Sequence, residues 1–329
     1  MVSFIIPSLN GKRLLKKCLE SVFTAAENAK VRAEVIVVDN GSKENIKYQI
    51  SNIKNANKKL RIALIQNKKN LGFAKAVNQG IGEIEKLRNY EINQLFEDFV
   101  VVLNNDITLE QNWLGELLKT IKKNDKIGAI QGRNLTADGK KIEGTGLIYF
   151  LNGGCLNRGN GEINDRKRYN KEEEVFGVSA AASLYRLSAL EEVGYFDDDF
   201  FAFEEDIDLS LRLKASGFKS FYNPRAIAYH IGGATVNKMG NLRARMDAKN
   251  WIYIIIKNYP LRTLLCLFPQ IFIERLRNLS GLIKETIKIY GAAKSFYLVP
   301  LSILLTYGEV LAKLPKMIKK RKSFFIDKL

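Results

Sequence analysis

The chain has 329 residues, 46% hydrophobic and 26% charged, a globular balance that excludes disordered and fibrous classes. Cys18, Cys155 and Cys266 are scattered and His230 is the sole histidine, which excludes a disulfide framework, a cysteine zinc site and a multi-histidine metal cage. The formal charge is +17, and Gly240 to Leu329 holds 17 basic against 5 acidic residues, so the basic surface is C-terminal.

In chain order, Val2–Pro7, Val35–Asp39, Arg61–Gln66 and Phe99–Asn104 are short apolar runs rich in Val and Ile that do not alternate with polar residues. Such runs predict strands buried on both faces. No charged segment followed by an apolar run opens the chain, so a cleaved secretory signal is not expected. Helical spacing of Leu14, Leu15, Cys18, Leu19, Val22 and Phe23, and of Phe73, Ala74, Val77, Ile81 and Ile84, fills the intervals. The alternation predicts an open, mostly parallel α/β sheet flanked by helices.

Ligands bind beyond the carboxyl ends of such strands. Here those ends read Ser8-Leu9-Asn10-Gly11, Asp39-Asn40-Gly41-Ser42, Asn67 to Gly72 and Asn104-Asn105-Asp106. Four polar ends on one sheet point to a ligand cleft, although Asx and Gly residues also make turns. The stretch 133–174 reads as long loops around one or two short strands. In Phe203-Glu204-Glu205-Asp206-Ile207-Asp208 the acids open a helix; some complement its dipole, and one can face the cleft as a base. Arg186 is read either as an ion-pair partner of that acidic helix or as an acceptor or phosphate contact. Ala226–His230 reads as a short strand, and Gly232-Gly233 turns the chain after it.

Taken in order, VSFIIPSLN, VIVVDNGS, NLGFAKAVNQGI, LNNDI, VGYFDDDFFAFEEDIDLSLRL and YHIGG resemble a family 2 glycosyltransferase of the GT-A fold, closest to its rhamnosyltransferase-like branch, over residues 2–235. The resemblance implies a 1–238 catalytic domain; composition and charge make 239–329 a basic, amphipathic helical region after it. The resemblance places Pro7, Ser8, Asn10, Asp39, Gly72, Asn78, Asn104 and Asn105 around a nucleotide-sugar donor. It makes Asp106 and His230 ligands of Mn²⁺ or Mg²⁺ and Asp206 the catalytic base, with Glu205 and Arg186 in supporting or acceptor roles. Asn104 replaces the first acid of the family's metal motif. Val77 stands where many UDP-sugar enzymes carry Arg, which tilts the donor towards a dTDP-sugar such as dTDP-rhamnose.

The chemistry is coherent. A divalent cation stabilises a nucleoside diphosphate leaving group, and a carboxylate across the sugar takes the acceptor proton with inversion. The implied acceptor is a saccharide, free or lipid-linked. The rival readings are a sugar nucleotidyltransferase, for which Ser8–Arg13 is a poor phosphate loop, and a silent membrane-bound scaffold.

At the C-terminus, Trp251–Ile273 is too interrupted to span a bilayer and Phe296–Ala312 is marginal. Lys313, Lys316, Lys319, Lys320, Arg321 and Lys322, followed by Phe324-Phe325-Ile326, predict docking on an anionic membrane surface. The expected location is cytoplasmic, peripheral on the inner face of the cell membrane. Packing or homodimerisation is the rival; with no nucleic-acid-binding motif, nucleic acid is not an expected partner.

Overall fold

The computed structural model describes residues 1–47, 50, 61–90, 98–165, 167–231 and 241–321. Gly232-Gly233, the 238/239 boundary, Lys322 and Phe324–Ile326 lie outside the described residues. The first half builds β1 (Val2–Ser8), α1 (Lys12–Ala29), β2 (Ala33–Asp39), β3 (Arg61–Gln66), α2 (Phe73–Tyr90), β4 (Phe99–Leu103), β5 (Ile107–Leu109) and α3 (Trp113–Ile121). Next come β6 (Ile127–Thr136), β7 (Ile142–Gly144), β8 (Leu147–Tyr149), β9 (Cys155–Asn157), β10 (Glu173–Val175) and β11 (Ala182–Arg186). The chain continues through α4 (Leu187–Val193), α5 (Glu205–Ala215) and β12 (Lys219–His230). Three further helices follow: α6 (Leu242–Asn258), α7 (Leu261–Cys266) and α8 (Phe268–Lys320).

The main sheet has the order β10-β12-β6-β11-β4-β1-β2-β3, with β5 on β12 and β7 on β6. Strands β4, β1, β2 and β3 are parallel, as the apolar runs predict. Successive side chains explain those runs. Phe4, Val35, Val37 and Val101 pack with Leu15, Leu19, Trp113 and Leu117 of α1 and α3. Ile5, Ile36, Val38, Val100 and Val102 pack with Val77, Ile81 and Leu190 of α2 and α4. Neither face meets water, so neither needs a polar residue.

Strand β11 runs antiparallel between β4 and β6, so the sheet is mixed. The stretch 133–174 holds more strand than the sequence suggests, and β8 and β9 form a separate hairpin. Strand β12 extends seven residues upstream of Ala226. Its register shifts between Tyr222 and Ile227, around Pro224, which cannot donate to a ladder.

The C-terminal helices are joined to this body. Tyr253 and Ile254 of α6 and Val310 and Met317 of α8 share a core with Phe200, Ile207 and Leu211. Helix α8 folds back at Gly291 (φ 76°, ψ 164°). Arg275 Nε donates to Tyr307 Oη at 2.9 Å, whereas a straight helix would hold residues 32 apart at roughly 48 Å. On the returning arm, 292–320, Ser302, Thr306, Val310 and Met317 face inward. At 3.6 residues per turn, Tyr297, Leu301, Leu304, Leu311 and Ile318 line the opposite, exposed side.

Candidate active site

A cavity of about 490 Å³ opens beyond the carboxyl ends of β1, β2 and β4, walled by the start of α5, by His230 and by Arg243 and Asp247 of α6. Pro7, Ser8, Gly72, Asn104, Asn105, Asp106, Glu205, Asp206 and His230 line it. Asn10, Asp39, Asn78 and Arg186 do not.

The parallel register sets Ser8 beside Asp39 and Asp39 beside Gln66. At this rim Asn105 Nδ2 donates to Ser8 Oγ at 2.9 Å, fixing the end of β4 against that of β1. The Asp39 carboxylate is turned into its own strand end, accepting from the Ser42 N–H at 3.0 Å and Gln66 Nε2 at 3.3 Å. Its neighbour Asn40 lines the cavity instead. Asn40 Nδ2 donates to Asn70 Oδ1 and the Gly72 carbonyl, and its Oδ1 accepts the Leu71 N–H. Asn40 thus holds the 70–72 loop shut. Gly72 has φ 92°, and a Cβ there would come within 2.5 Å of the Phe201 carbonyl oxygen, so only glycine fits.

Asn10 (φ 52°) accepts the Lys43 N–H through Oδ1. Asn78 clamps the 196–198 segment, donating to the Phe196 carbonyl at 2.6 Å and Asp198 at 2.7 Å. Arg186 requires correction on both readings. Strand β11 is antiparallel, so its last residue pairs with Phe99 at the amino end of β4, away from the cleft. There the guanidinium donates to the carbonyls of Ile127, Ile121 and Asn124, and it neither pairs with the acidic helix nor reaches the cavity.

Asp106 and His230 meet because β5 pairs with β12 in a register that sets His230 opposite Ile107. His230 Nε2 lies 3.1 Å from Asp106 Oδ1, and Nδ1 lies 2.6 Å from Glu143 Oε2. Burial lowers the imidazole pKa, but the hydrogen bonds to Asp106 and Glu143 outweigh it and raise it to about 10. Protonated, the ring bridges two carboxylates; to ligate a cation through Nε2 it would give up the proton it shares with Asp106. Among the described residues no group of three or more His, Cys, Asp or Glu side chains is arranged to hold a metal. The donor set still fits a divalent ion that takes its other positions from phosphate oxygens. One carboxylate and one imidazole nitrogen share the cavity wall, and the second ring nitrogen is oriented by an outer carboxylate.

The acidic helix start sits on a strained approach. Phe201, Phe203 and Glu204 all have positive φ, between 63° and 68°, each costing about 1–3 kcal/mol in a non-glycine residue. Helix α6 holds them. Asn250 Nδ2 lies 3.1, 2.8 and 2.7 Å from the carbonyls of Phe200, Ala202 and Phe203. The Phe201 carbonyl accepts the Phe73 N–H from the start of α2.

Asp206 accepts the Ala180 N–H at 3.1 Å and the Ile207 N–H at 2.9 Å, while Ala181 O accepts the Asn104 N–H. One segment thus ties the base candidate to the Asp106 loop. Burial raises the Asp206 pKa against these backbone bonds. Burial, then the Asp206 charge, raises Glu205 to about 8. Glu204 is raised well above the carboxylate range by burial and by Asp247.

The sequence carries no signal for Glu143. Asn40 was visible only as part of a polar strand end. Arg243, Asp247 and Asn250 lie in the stretch read as a basic, amphipathic helical region outside the catalytic domain.

The family model described as "Glycosyl transferase family 2" matches residues 3–194, and a second, "Glycosyl transferase family group 2", matches 99–311. The chain belongs to glycosyl transferase family 2. It is 27% identical over 251 residues to a poly-beta-1,6-N-acetyl-D-glucosamine synthase of Staphylococcus epidermidis, covering 74% of this chain and 53% of that protein. The synthase of Staphylococcus aureus is 26% identical over the same shares. The chain spans about half the length of these relatives.

Two solved structures share the GT-A fold. GalNAc-T7 with UDP, GalNAc and Mn²⁺ has a TM-score of 0.59 at 16% identity, covering 79% of this chain and 48% of that one. The mannosyltransferase PcManGT from Pyrobaculum calidifontis, with GDP-Man and Mn²⁺, has a TM-score of 0.55 at 17% identity, covering 97% and 83%. The rhamnosyltransferase-like branch finds no support in these relatives.

Proposed function

We propose that the chain is a metal-dependent, inverting glycosyltransferase of surface polysaccharide synthesis, moving a sugar from a nucleotide donor to a saccharide acceptor, free or lipid-linked. The observation that carries the reading is one cavity holding both halves of the chemistry, Asp106 with His230 and Asp206 with Glu205. Ser8, Asn40 and Asn105 fix the rim that receives the nucleotide. Asp106 and His230 would hold Mn²⁺ or Mg²⁺, which supplies charge stabilisation to the departing diphosphate. Asp206 takes the proton of the attacking hydroxyl. The relatives favour an N-acetylhexosamine donor over a rhamnosyl one. A panel of UDP-, dTDP- and GDP-sugars with either cation, read by hydrolysis and thermal shift, tests it, because a bound ligand raises apparent stability. No hydrolysis and no shift with any member would sink the reading.

Asp106→Ala and His230→Ala should each weaken the cation-dependent thermal shift given by the nucleotide. The double variant should lose less than the sum, because both serve one ion. An unchanged cation dependence in His230→Ala would leave that ring a structural bridge.

The same reading places the enzyme peripherally on the inner face of the cell membrane. By length and composition α8 has a stretch apolar enough to span a bilayer. Its returning arm, however, has one face packed on the body, and Phe296 (88% exposed), Leu304 and Leu311 are open on the outside, which suits lying in the interface. Lys313, Lys316 and Lys320 turn inward onto Asp197 and Asp199, so they add less to lipid attraction than their number suggests. The full chain should pellet with anionic vesicles, partly reversed by salt. Replacing Phe296, Leu304 and Leu311 together by serine should remove the salt-resistant part. Equal pelleting of that variant would move the contact elsewhere.

A further inference from the structure

The β8–β9 ribbon is apolar on both faces. Leu147 packs inward with Ile207, Leu211 and Ile254, and Tyr149 with Trp251, Ile255 and Tyr259. Side chains alternate along a strand, so the cross-strand partners Ile148 and Leu156 fall on the outer face. Both are exposed, Leu156 to 60%, and so is Phe150 at the end of β8. The tip of the ribbon is fastened down. Tyr259 Oη donates to the Leu151 carbonyl at 2.9 Å, and Asn152 Nδ2 donates to Glu274 of α8 at 3.0 Å. Leu264 of α7 and Leu267 and Ile271 rest on the same Trp251, Ile255 and Tyr259, which are spaced i, i+4 and i+8 and so share one side of α6. Ribbon and helices therefore lie side by side on that support, with their far sides turned the same way. On the helices the far side carries Leu265, Phe268, Phe272 and Leu276, each half exposed or more. Exposed basic residues border it, Arg262, Arg277, Lys284 and Lys288, and 259–300 holds six basic against two acidic residues. An apolar surface of this breadth is uncommon on a monomer. Its basic border suits an anionic headgroup layer, whereas a second copy would set like charges together. At its other edge the ribbon reaches the cavity, which Cys155, Leu156 and Asn157 line.

We propose that the outer face of the β8–β9 ribbon, with the first arm of α8 (268–290), lies on the anionic bilayer and turns the mouth of the cavity towards the lipid. The proposal rests on the peripheral membrane placement and goes beyond it. The returning arm anchors the chain, and the ribbon decides which way the cavity faces. An acceptor anchored in the bilayer then enters beside Leu156 while its anchor stays in the lipid.

Tryptophan emission tests it, because Trp113 and Trp251 are buried and an added surface indole senses its own surroundings. Full-length chains carrying Phe150→Trp, Leu156→Trp, Phe296→Trp or Lys16→Trp are bound to vesicles of phosphatidylcholine and phosphatidylglycerol. The lipids are brominated near the carbonyl end of the acyl chains, since an interfacial segment sits about 5–10 Å deep. The emission gained over the unaltered chain should be quenched in Phe150→Trp and Leu156→Trp as strongly as in Phe296→Trp. It should survive in Lys16→Trp, on α1, which packs on the opposite face of the sheet from α5. Each ribbon variant guards against misfolding of the other. Quenching of Phe296→Trp but of neither ribbon variant overturns the proposal and leaves peripheral docking standing. Equal quenching of Lys16→Trp also overturns it. A dimer in solution that Phe150→Ser with Leu156→Ser abolishes would make a second copy the occupant of this face and overturn it. Vesicles that neither pellet the chain nor quench any variant overturn the membrane placement as well.

Discussion

Asp206→Asn is expected to lower sugar transfer by about 10²–10⁴-fold, the usual contribution of a positioned general base, while nucleotide binding stays near that of the unaltered chain. Asparagine keeps the volume of the side chain, but Ala180 and Ile207 donate to different carboxylate oxygens, so the amide oxygen keeps one of those two bonds. It loses the other bond and, above all, its basicity. Because burial raises both Asp206 and Glu205, the two titrate as a pair. The unaltered enzyme should speed up with rising pH across neutrality as the pair gives up its proton. The variant should show a flatter profile. Steady-state transfer from the selected donor at several pH values checks both points. Near-normal transfer by the variant would move the role to Glu205, whose substitution by glutamine then becomes the decisive measurement.

Lys257→Met should cost stability, up to about 3–5 kcal/mol, because it takes from two buried carboxylates their shared sealed partner and leaves Asp197 with Lys320 and Asp208 with Arg212. Lys257 Nζ lies 2.6 Å from Asp197 and 2.7 Å from Asp208, with every partner nearly sealed from solvent. Arg212 and Asn258 support Asp208 from the other side. Burial pushes both carboxyl pKa values up. The Lys257 charge outweighs it at Asp197, and Lys257 with Arg212 outweighs it at Asp208, so both lie below the ordinary range. A depressed folded-state pKa stabilises fully above the unfolded carboxylate value, about 3.9. That contribution is lost as pH falls through the lower folded values. The unaltered chain should therefore weaken steeply only in strong acid, and the variant should start lower with a shallower acid limb. Chemical denaturation at pH 7 and pH 2 measures the difference. A loss below about 1 kcal/mol at pH 7 would show that Lys320 and Arg212 suffice to hold Asp197 and Asp208.

The parallel half of the sheet and the polar ends of its strands could be read from the sequence because both are local. A run such as Phe99–Leu103 states its two-sided burial residue by residue, and the turn chemistry of Ser8–Gly11 or Asn104–Asp106 follows directly. Strand direction in the second half could not be read. Nothing in Ala182–Arg186 says that it runs antiparallel, and that one reversal carries Arg186 to the far end of the sheet. Glu143 was invisible for a similar reason, since 87 residues separate it from the ring it orients. The C-terminal helices hid their contribution because composition reports charge and hydropathy, not which body a residue packs against. Asn250 lies inside a stretch that reads as an amphipathic surface helix, and only the fold brings it under the 200–203 carbonyls.

The strained segment that holds Phe201, Phe203 and Glu204 at positive φ restricts how such a chain can be recombined. Its shape is imposed by one amide from α6, and α6 is itself held by α8 through Arg245 and Glu309. The first 231 residues grafted onto a relative's C-terminal helices would keep the sheet and the nucleotide rim. They would lose the brace that aims Glu205 and Asp206, unless the donor helices presented an amide at the same height. Exchange of acceptor specificity between such enzymes by swapping tails should therefore succeed only when the junction falls before Phe200, so that loop and brace travel together.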